Sequence, residues 1–146
     1  MLYYLSLGSN LGDRESAISS ALDLINSNVG TVLRRSSFYY SEPWGFCSPH
    51  PFCNLCCAVQ SDLAPLEVLQ RTQQIERALG RTSKSTISNP QSPIPHYTDR
   101  CIDIDLIRVF DDGGKEVFVS LPELIIPHKY WTQREFVTIP LSEIMH

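Results

Sequence analysis

The sequence predicts an α+β domain in which strands and helices alternate. Two observations carry that prediction: several segments are rich in β-branched, aromatic and cysteine residues, and two others repeat apolar residues at helical spacing. A third is size and composition. With 146 residues, 42% hydrophobic and 19% charged, the chain fits one ordinary domain with a buried core.

Leu2 to Leu7 has strand composition and stops at Gly8. Asp13 then offers an N-cap, and Ala17, Ile18, Ala21, Leu22 and Ile25 recur as one helical face before Gly30. Val32 to Tyr40 returns to strand composition. A loop punctuated by Pro43, Gly45, Pro49 and Pro51 leads into a third strand, Phe52 to Gln60. Pro65 suits a first helical turn, Leu66, Leu69, Ile75 and Leu79 share a face, and Gly80 closes the helix. Cys101 to Phe110 reads as a fourth strand, which Asp111-Asp-Gly-Gly114 turns into a fifth, Val117 to Ser120. The order strand, helix, strand, strand, helix, strand is that of a ferredoxin-like βαββαβ core, here with an appended hairpin and a C-terminal segment. Residues 82–98 form a long polar connection with Pro90, Pro93 and Pro95, a length that marks either a functional lid or a disordered insertion.

Twelve Lys plus Arg against sixteen Asp plus Glu leave a net charge of −4, which argues against a general nucleic-acid binder. Apolar runs such as Leu124 to Pro127 are too short to cross a bilayer, and no basic and apolar leader pattern opens the chain. Five cysteines, Cys47, Cys53, Cys56, Cys57 and Cys101, are an odd and crowded set. Reduced thiols in a cytoplasmic setting explain them better than a disulfide framework. Cys53 and Cys56 have the spacing of a zinc or redox pair but lie on a predicted strand without a second ligand pair, so they read as core residues.

Asp103-Ile-Asp105 carries the first chemical signal. Residues two apart on a strand point the same way, so both carboxylates share a face and repel unless a cation or proton lies between them. Magnesium takes one or two carboxylates and completes its shell with water and phosphate. By pattern alone, a solvent-facing strand explains the pair equally well. The surroundings tip the balance. Residues 71–100 hold five basic side chains, Arg81, Lys84 and Arg100 among them, against two acidic ones, in a chain that is acidic overall. Cations flanking two carboxylates suit a magnesium-bound polyphosphate. Pro127-His128, followed by Arg134 and Phe136, adds groups for a phosphate tail and a planar ring, although each alone is more often a packing element. Asn54 could pair with a heterocycle through its amide, or equally cap a strand edge. Gly8 to Gly12 lacks the spacing of a P-loop and reads as a strand-to-helix turn.

Together these elements resemble a known family. Leu7-Gly-Ser-Asn-Leu-Gly12-Asp, Ser36-Ser-Phe-Tyr39, Pro43-Trp-Gly45, Phe52-x-Asn54, Ile75-Glu76 with Gly80-Arg81, Arg100-x-x-Asp103-Ile-Asp105-Leu, Pro127-His128 and Arg134-x-Phe136-Val occur in the order seen in the 6-hydroxymethyl-7,8-dihydropterin pyrophosphokinases. The resemblance spans nearly the whole chain. It implies transfer of the terminal pyrophosphoryl unit of ATP to the hydroxymethyl group of the pterin, with release of AMP, in folate biosynthesis.

The resemblance also implies roles. Asp103 and Asp105 match the ligands of two magnesium ions, and Arg81, Arg100, His128 and Arg134 match residues that hold the triphosphate. Gln73 and Leu106 match nucleotide-contacting positions, and Tyr97 matches an aromatic of a mobile loop. Asn54 matches the amide that reads the pterin edge, between the rings matched by Phe52 and Phe136. Ser41 and Trp44 lie where the family turns main-chain groups toward the same ring. Phe52, Ser83, Glu123 and Lys129 depart from residues common at their positions, a tyrosine, two arginines and a tyrosine respectively. A monomer is expected. A small-ligand regulatory module of the same fold would have no need of Asp103, Asp105 and Arg100 together, and an RNA-binding relative would call for a basic surface.

Overall fold

Strand β1 (Leu2–Ser9) lies inside the sheet with β4 (Phe52–Gln60) on one side and β5 (Asp103–Phe110) on the other, antiparallel to both, in a computed structural model that describes residues 1–10, 12–41, 51–80 and 102–145. On the far side of β4 run β2 (Thr31–Arg35) and, further along the same edge, β3 (Tyr39–Ser41), giving the order β2-β4-β1-β5 with every pairing antiparallel. Helix α1 (Arg14–Asn28) follows β1 and helix α2 (Pro65–Ala78) follows β4. The architecture is α+β, as predicted.

Both helices cover one face. Ile18, Ala21, Leu22 and Ile25 of α1 and Val68 and Ile75 of α2 form a single core with Tyr3, Leu5, Leu7, Leu55, Val59, Ile104 and Leu106. The opposite face carries a second core, in which Tyr4, Cys56, Ala58 and Ile107 meet Val137, Leu141 and Ile144. These last three belong to α3 (Glu135–Ile144), a helix that sequence reading left as an unassigned C-terminal segment. Phe136, Val137, Thr138 and Ile139 favour strands and Pro140 opposes a helix, so local propensity points away from it. Burial of Val137, Pro140, Leu141 and Ile144 at helical spacing overrides that preference. Because both faces are covered, β4 is buried without interruption from Cys53 to Val59, where a half-solvated sheet would alternate.

Two further expectations are corrected. The predicted strand Val32 to Tyr40 is divided into β2 and β3. At the break the Ser36 N–H donates to Cys56 O at 2.9 Å, while the Ser36 hydroxyl accepts from Cys56 N–H at 3.0 Å. The side chain thus completes the ladder rung. Arg35 opposes Cys57 but Tyr39 opposes Asn54, so the strand holds one residue more than its partner, a bulge that rephases Tyr39 and Ser41. The predicted fifth strand also differs. The turn at 111–114 forms, with Asp111 Oδ1 accepting from Gly113 and Lys115 N–H, each at 2.9 Å. Beyond a single bridge from Phe110 to Glu116, however, β6 (Val119–Leu121) leaves β5 and pairs with β7 (Leu124–Ile126).

Local signals terminate α1 and α2 as read. Asp13 accepts from Ser16 N–H at 3.1 Å, Pro65 opens α2, and Gly80 follows its end. Cys53, Cys56 and Cys57 are buried free thiols, and burial pushes the Cys56 thiol up to about 12, so these are inert core side chains. Cys47 and Cys101 lie outside the described residues. No helix among the described residues is long and apolar enough to cross a membrane.

Gly30 is the tightest joint of the fold. A Cβ there would lie 2.2 Å from Gln60 O and 2.8 Å from Ser61 Cβ. Gly30→Ala should therefore cost about 1–3 kcal/mol, an overpacking penalty, read as a lowered midpoint in thermal unfolding. An unchanged midpoint would contradict this packing.

Candidate active site

One register line crosses four strands. Tyr39 of β3 opposes Asn54 of β4, Asn54 opposes Gly8 of β1, and Gly8 opposes Asp103 of β5. The rung beside it joins Cys56, Ser6 and Asp105, and on the other side Ser41 opposes Phe52. By strand alternation, Phe52, Asn54, Asp103 and Asp105 all stand on the face that carries α3, opposite the α1 and α2 core that receives Ile104 and Leu106. Two candidate groups, a heterocycle-reading amide and a carboxylate pair, are thereby separated by a residue with no side chain. A Cβ on Gly8 would come within 2.9 Å of Asn54 Oδ1 and 3.5 Å of Phe52 Cδ1. The glycine lets the Asn54 amide and the Phe52 ring lie close against β1.

Asn54 is 2% exposed, and its amide nitrogen donates to Tyr39 O at 3.1 Å and Ser41 Oγ at 2.8 Å. Both amide hydrogens are thus turned toward β3, and Oδ1 lies over Gly8. The bulge between β2 and β3 makes this possible, since without it Ser41 would not share a face with Asn54. The first turn of α1 steadies both approaches to residues 42–50. The Tyr40 hydroxyl donates to Glu15, and Arg14 donates to Pro51 O at 2.7 Å while lying 5.6 Å from the Tyr40 ring.

Along the outer edge of β5, His128 N–H donates to Ile107 O at 2.9 Å, which anchors the Pro127-His128 step beside the carboxylate strand. His128 Nδ1 accepts from Tyr130 N–H at 3.3 Å, leaving the ring proton on Nε2. Burial lowers the His128 pKa below the ordinary 6.5, Arg134 lowers it further, and Asp103 opposes both. Arg134 lies at the start of α3, with its guanidinium 5.7 Å from the half-buried Phe136 ring and 5.8 Å from Tyr130. His128, Arg134, Phe136 and Asp103 therefore share one neighbourhood, although 25 to 33 positions separate the first three from the aspartate in the chain.

Gln73 is exposed on α2, one turn before Glu76. The Leu106 side chain is 4% exposed in the helix-side core, away from the carboxylates. Its peptide groups point, by alternation from Ile104, to the outer edge of β5, so main chain rather than side chain is what this position can offer a nucleotide. Trp44, Arg81, Tyr97 and Arg100 lie outside the described residues. Glu76 is the residue that sequence reasoning assigned no role. Its carboxylate is 6% exposed and accepts from Ile104 N–H, between the two aspartates, at 2.7 Å. The signal was present in the sequence, because Val68, Thr72, Ile75 and Glu76 form the buried stripe of α2 and a glutamate there is out of place.

The donor set suits magnesium. Among the described residues no three acidic, histidine or cysteine groups converge on one point, so no all-protein cage of the zinc or calcium kind exists there. Two half-buried carboxylates on one face, with the remaining positions left to water and phosphate, match what magnesium accepts.

His128 supplies a test of this electrostatic picture. Its lowered pKa means that the unfolded chain takes up the proton more readily. The stabilisation is complete above the unfolded value near 6.5 and is lost as pH falls through that region. Imidazole titration by NMR should give a midpoint below 6.5, and Arg134→Gln should raise it without restoring 6.5, because burial is the larger cause. A midpoint at or above 6.5 in the unaltered protein would contradict the site geometry.

Comparison with known families matches residues 4–146 to 7,8-dihydro-6-hydroxymethylpterin-pyrophosphokinase (HPPK). A 2-amino-4-hydroxy-6-hydroxymethyldihydropteridine pyrophosphokinase of Porphyromonas gingivalis is 48% identical over 145 residues, covering 98% of this chain and 90% of the relative. Its counterpart in Bacillus subtilis is 33% identical over 142 residues, covering 97% and 76%. The folic acid synthesis protein fol1 of Pneumocystis carinii is 36% identical over 141 residues, 97% of this chain but 17% of that longer protein. Matched from residue 4 to residue 146 and aligned with such relatives along almost its entire length, this chain belongs to the 7,8-dihydro-6-hydroxymethylpterin pyrophosphokinase family.

Proposed function

We propose that this chain transfers the terminal pyrophosphoryl group of ATP to the hydroxymethyl oxygen of 6-hydroxymethyl-7,8-dihydropterin and releases AMP, within folate biosynthesis. The observation that carries this reading is the single register line from Asn54 through Gly8 to Asp103, which sets a heterocycle site beside a polyphosphate site on one sheet face. The order β2-β4-β1-β5, with helices after β1 and β4, supports a ferredoxin-like frame. The packing of α3 on the sheet face opposite α1 and α2 favours an enzyme over an RNA-binding module, which would leave that face free for bases.

In this reading the pterin lies over Gly8, with Asn54 Oδ1 accepting from its ring edge and Phe52 and Phe136 against its faces. Ser41 fixes the Asn54 amide and so sets which atom meets the ring. The pterin hydroxyl oxygen forms a bond to the β-phosphorus, the bond from that phosphorus to the α-phosphate oxygen breaks, and the hydroxyl proton is released. His128, neutral with its proton on Nε2, donates to a phosphate oxygen, and Arg134, Arg81 and Arg100 hold the chain of phosphates by charge. Gln73 and the Leu106 main chain face the nucleoside. Asp103 and Asp105 would hold magnesium, two ions in this reading, which neutralises phosphate charge and makes the hydroxyl more acidic when bound. Positioning and charge stabilisation supply the catalysis. Buried thiols at Cys53, Cys56 and Cys57 support a reducing, cytoplasmic compartment.

AMP release that requires both ATP and the reduced hydroxymethylpterin tests the whole reading, and its absence would overturn it. Asn54→Ala should weaken pterin binding by about 1–3 kcal/mol and leave ATP binding nearly unchanged, since only the ring edge meets that amide. Calorimetry showing equal losses for both ligands would count against the assignment. Asp103→Asn or Asp105→Asn should lower turnover by about 100-fold or more while the protein stays folded, because charge stabilisation is lost and like-charge repulsion is relieved. Near-normal magnesium-dependent turnover in a folded variant would remove the carboxylates from the mechanism.

A further inference from the structure

Strand β5 begins at Asp103, so the carboxylate pair occupies the first three residues of an edge strand. Asp103 and Asp105 pair inward with Gly8 and Ser6 of β1, and among the described residues no strand lies on the outer side. The terminal residues of an edge strand have half the main-chain hydrogen bonds of an interior one and open most readily. A ligand set of two side chains nonetheless needs its backbone held to about 0.5 Å. A contact at the outer edge adds to the restraint that the sheet gives.

Glu76 reaches the exposed edge at the peptide between the two aspartates. Its carboxylate accepts from Ile104 N–H at 2.7 Å, a charge-assisted length, and the side chain is 6% exposed. It comes from α2, whose neighbouring residues Val68, Thr72 and Ile75 are buried against the sheet, so the acceptor stands on a rigid element. The Ile104 side chain is buried at 5% exposure in the same helix-side core. Helix and strand are thus locked together at that residue by both its main chain and its side chain. Among the described residues no three acidic groups converge on a point, so Glu76 is not a third member of the ligand set.

We propose that Glu76 is a positioning residue for this reaction: by capping Ile104 N–H it holds Asp103 and Asp105 at the spacing that a magnesium-bound polyphosphate requires. This rests on the pyrophosphokinase reading above. The residue does not touch substrate. It acts through the Ile104 peptide.

Three variants test it. Glu76→Ala removes the acceptor, Glu76→Met removes it while filling the space should the alanine variant fail to fold, and Glu76→Gln keeps a carbonyl acceptor without the charge. In the metal-free full chain, Ile104 amide exchange followed by NMR should speed up by about tenfold or more in the Ala and Met variants and stay slow in Gln. The magnesium concentration giving half-maximal turnover should rise by about 10- to 100-fold in the same two variants, with the KM for the pterin within about twofold, and Gln should restore it. The proposal is overturned if Ile104 protection is lost while the magnesium response is unchanged, if protection survives without the acceptor, or if Gln behaves as Met does. Failure of the underlying reading looks different, because the unaltered protein would then release no AMP from ATP and pterin while Ile104 remained protected.

Discussion

Strand β1 pairs with β4 from Leu2 to Ser9 and with β5 from Leu2 to Gly8, and this double register is the constraint on which the site depends. Side chains along a strand alternate between faces, so a slip of one residue on either side would carry Asn54 or the aspartates to the face under α1 and α2. The slip is prevented by burial on both sides of the sheet. Tyr3, Leu5 and Leu7 are committed to the core under α1 and α2, and Tyr4 to the core under α3. A mispaired β1 would have to place Ser6 in an apolar core and expose leucines, each worth about 1.5–3 kcal/mol when buried. The relative placement of Asn54 and the two aspartates is therefore set by hydrophobic residues of the two cores.

The outer edge of β5 shows how the same fold manages an unpaired strand. Ile104 N–H is taken by Glu76, Ile107 O by His128 N–H, and Val109 O by Val117 N–H at 2.8 Å. A side chain, a loop and the start of a hairpin each satisfy one group, so the edge is closed to another chain without adding a strand. Two of these three partners come from segments that also serve the candidate site. Further along, Arg108 pairs with Glu116 at 2.8 Å and lies 5.2 Å from the Trp131 ring, which ties the hairpin start and the approach to α3 back to β5. Edge protection and site construction share the same residues.

Helix α3 joins the two halves of the site. It begins at Arg134 and Phe136, which stand with His128 and the carboxylates, and it ends near β3, where Ser37 N–H donates to Glu143 at 2.9 Å. The break that creates β3 also brings Ser41 and Tyr39 to the Asn54 amide. One helix therefore braces the bulge between β2 and β3 at one end and presents Arg134 at the other. This packing connects two parts of the candidate site that are remote in sequence.

The sequence by itself determined the elements whose signals are local. Asp13 and Pro65 mark helix starts, the apolar spacing of α1 marks its face, and the alternation around Asp103 and Asp105 marks a shared carboxylate face. In α2 the predicted face is corrected, because Leu66 is exposed and Val68, Thr72, Ile75 and Glu76 form the buried stripe. The family was legible as well, because its motifs are short, ordered and read one residue at a time. Only the tertiary structure decided the rest. Ser36 replaces a ladder rung with a hydroxyl and splits a strand that its composition would continue. Glu135–Ile144 is helical against its own propensity because a sheet face is there to bury it. Glu76 finds its hydrogen-bond donor at a strand edge that lies 28 residues away. In each case the deciding energy is a contact between segments distant in the chain, and no pattern within a single segment encodes it.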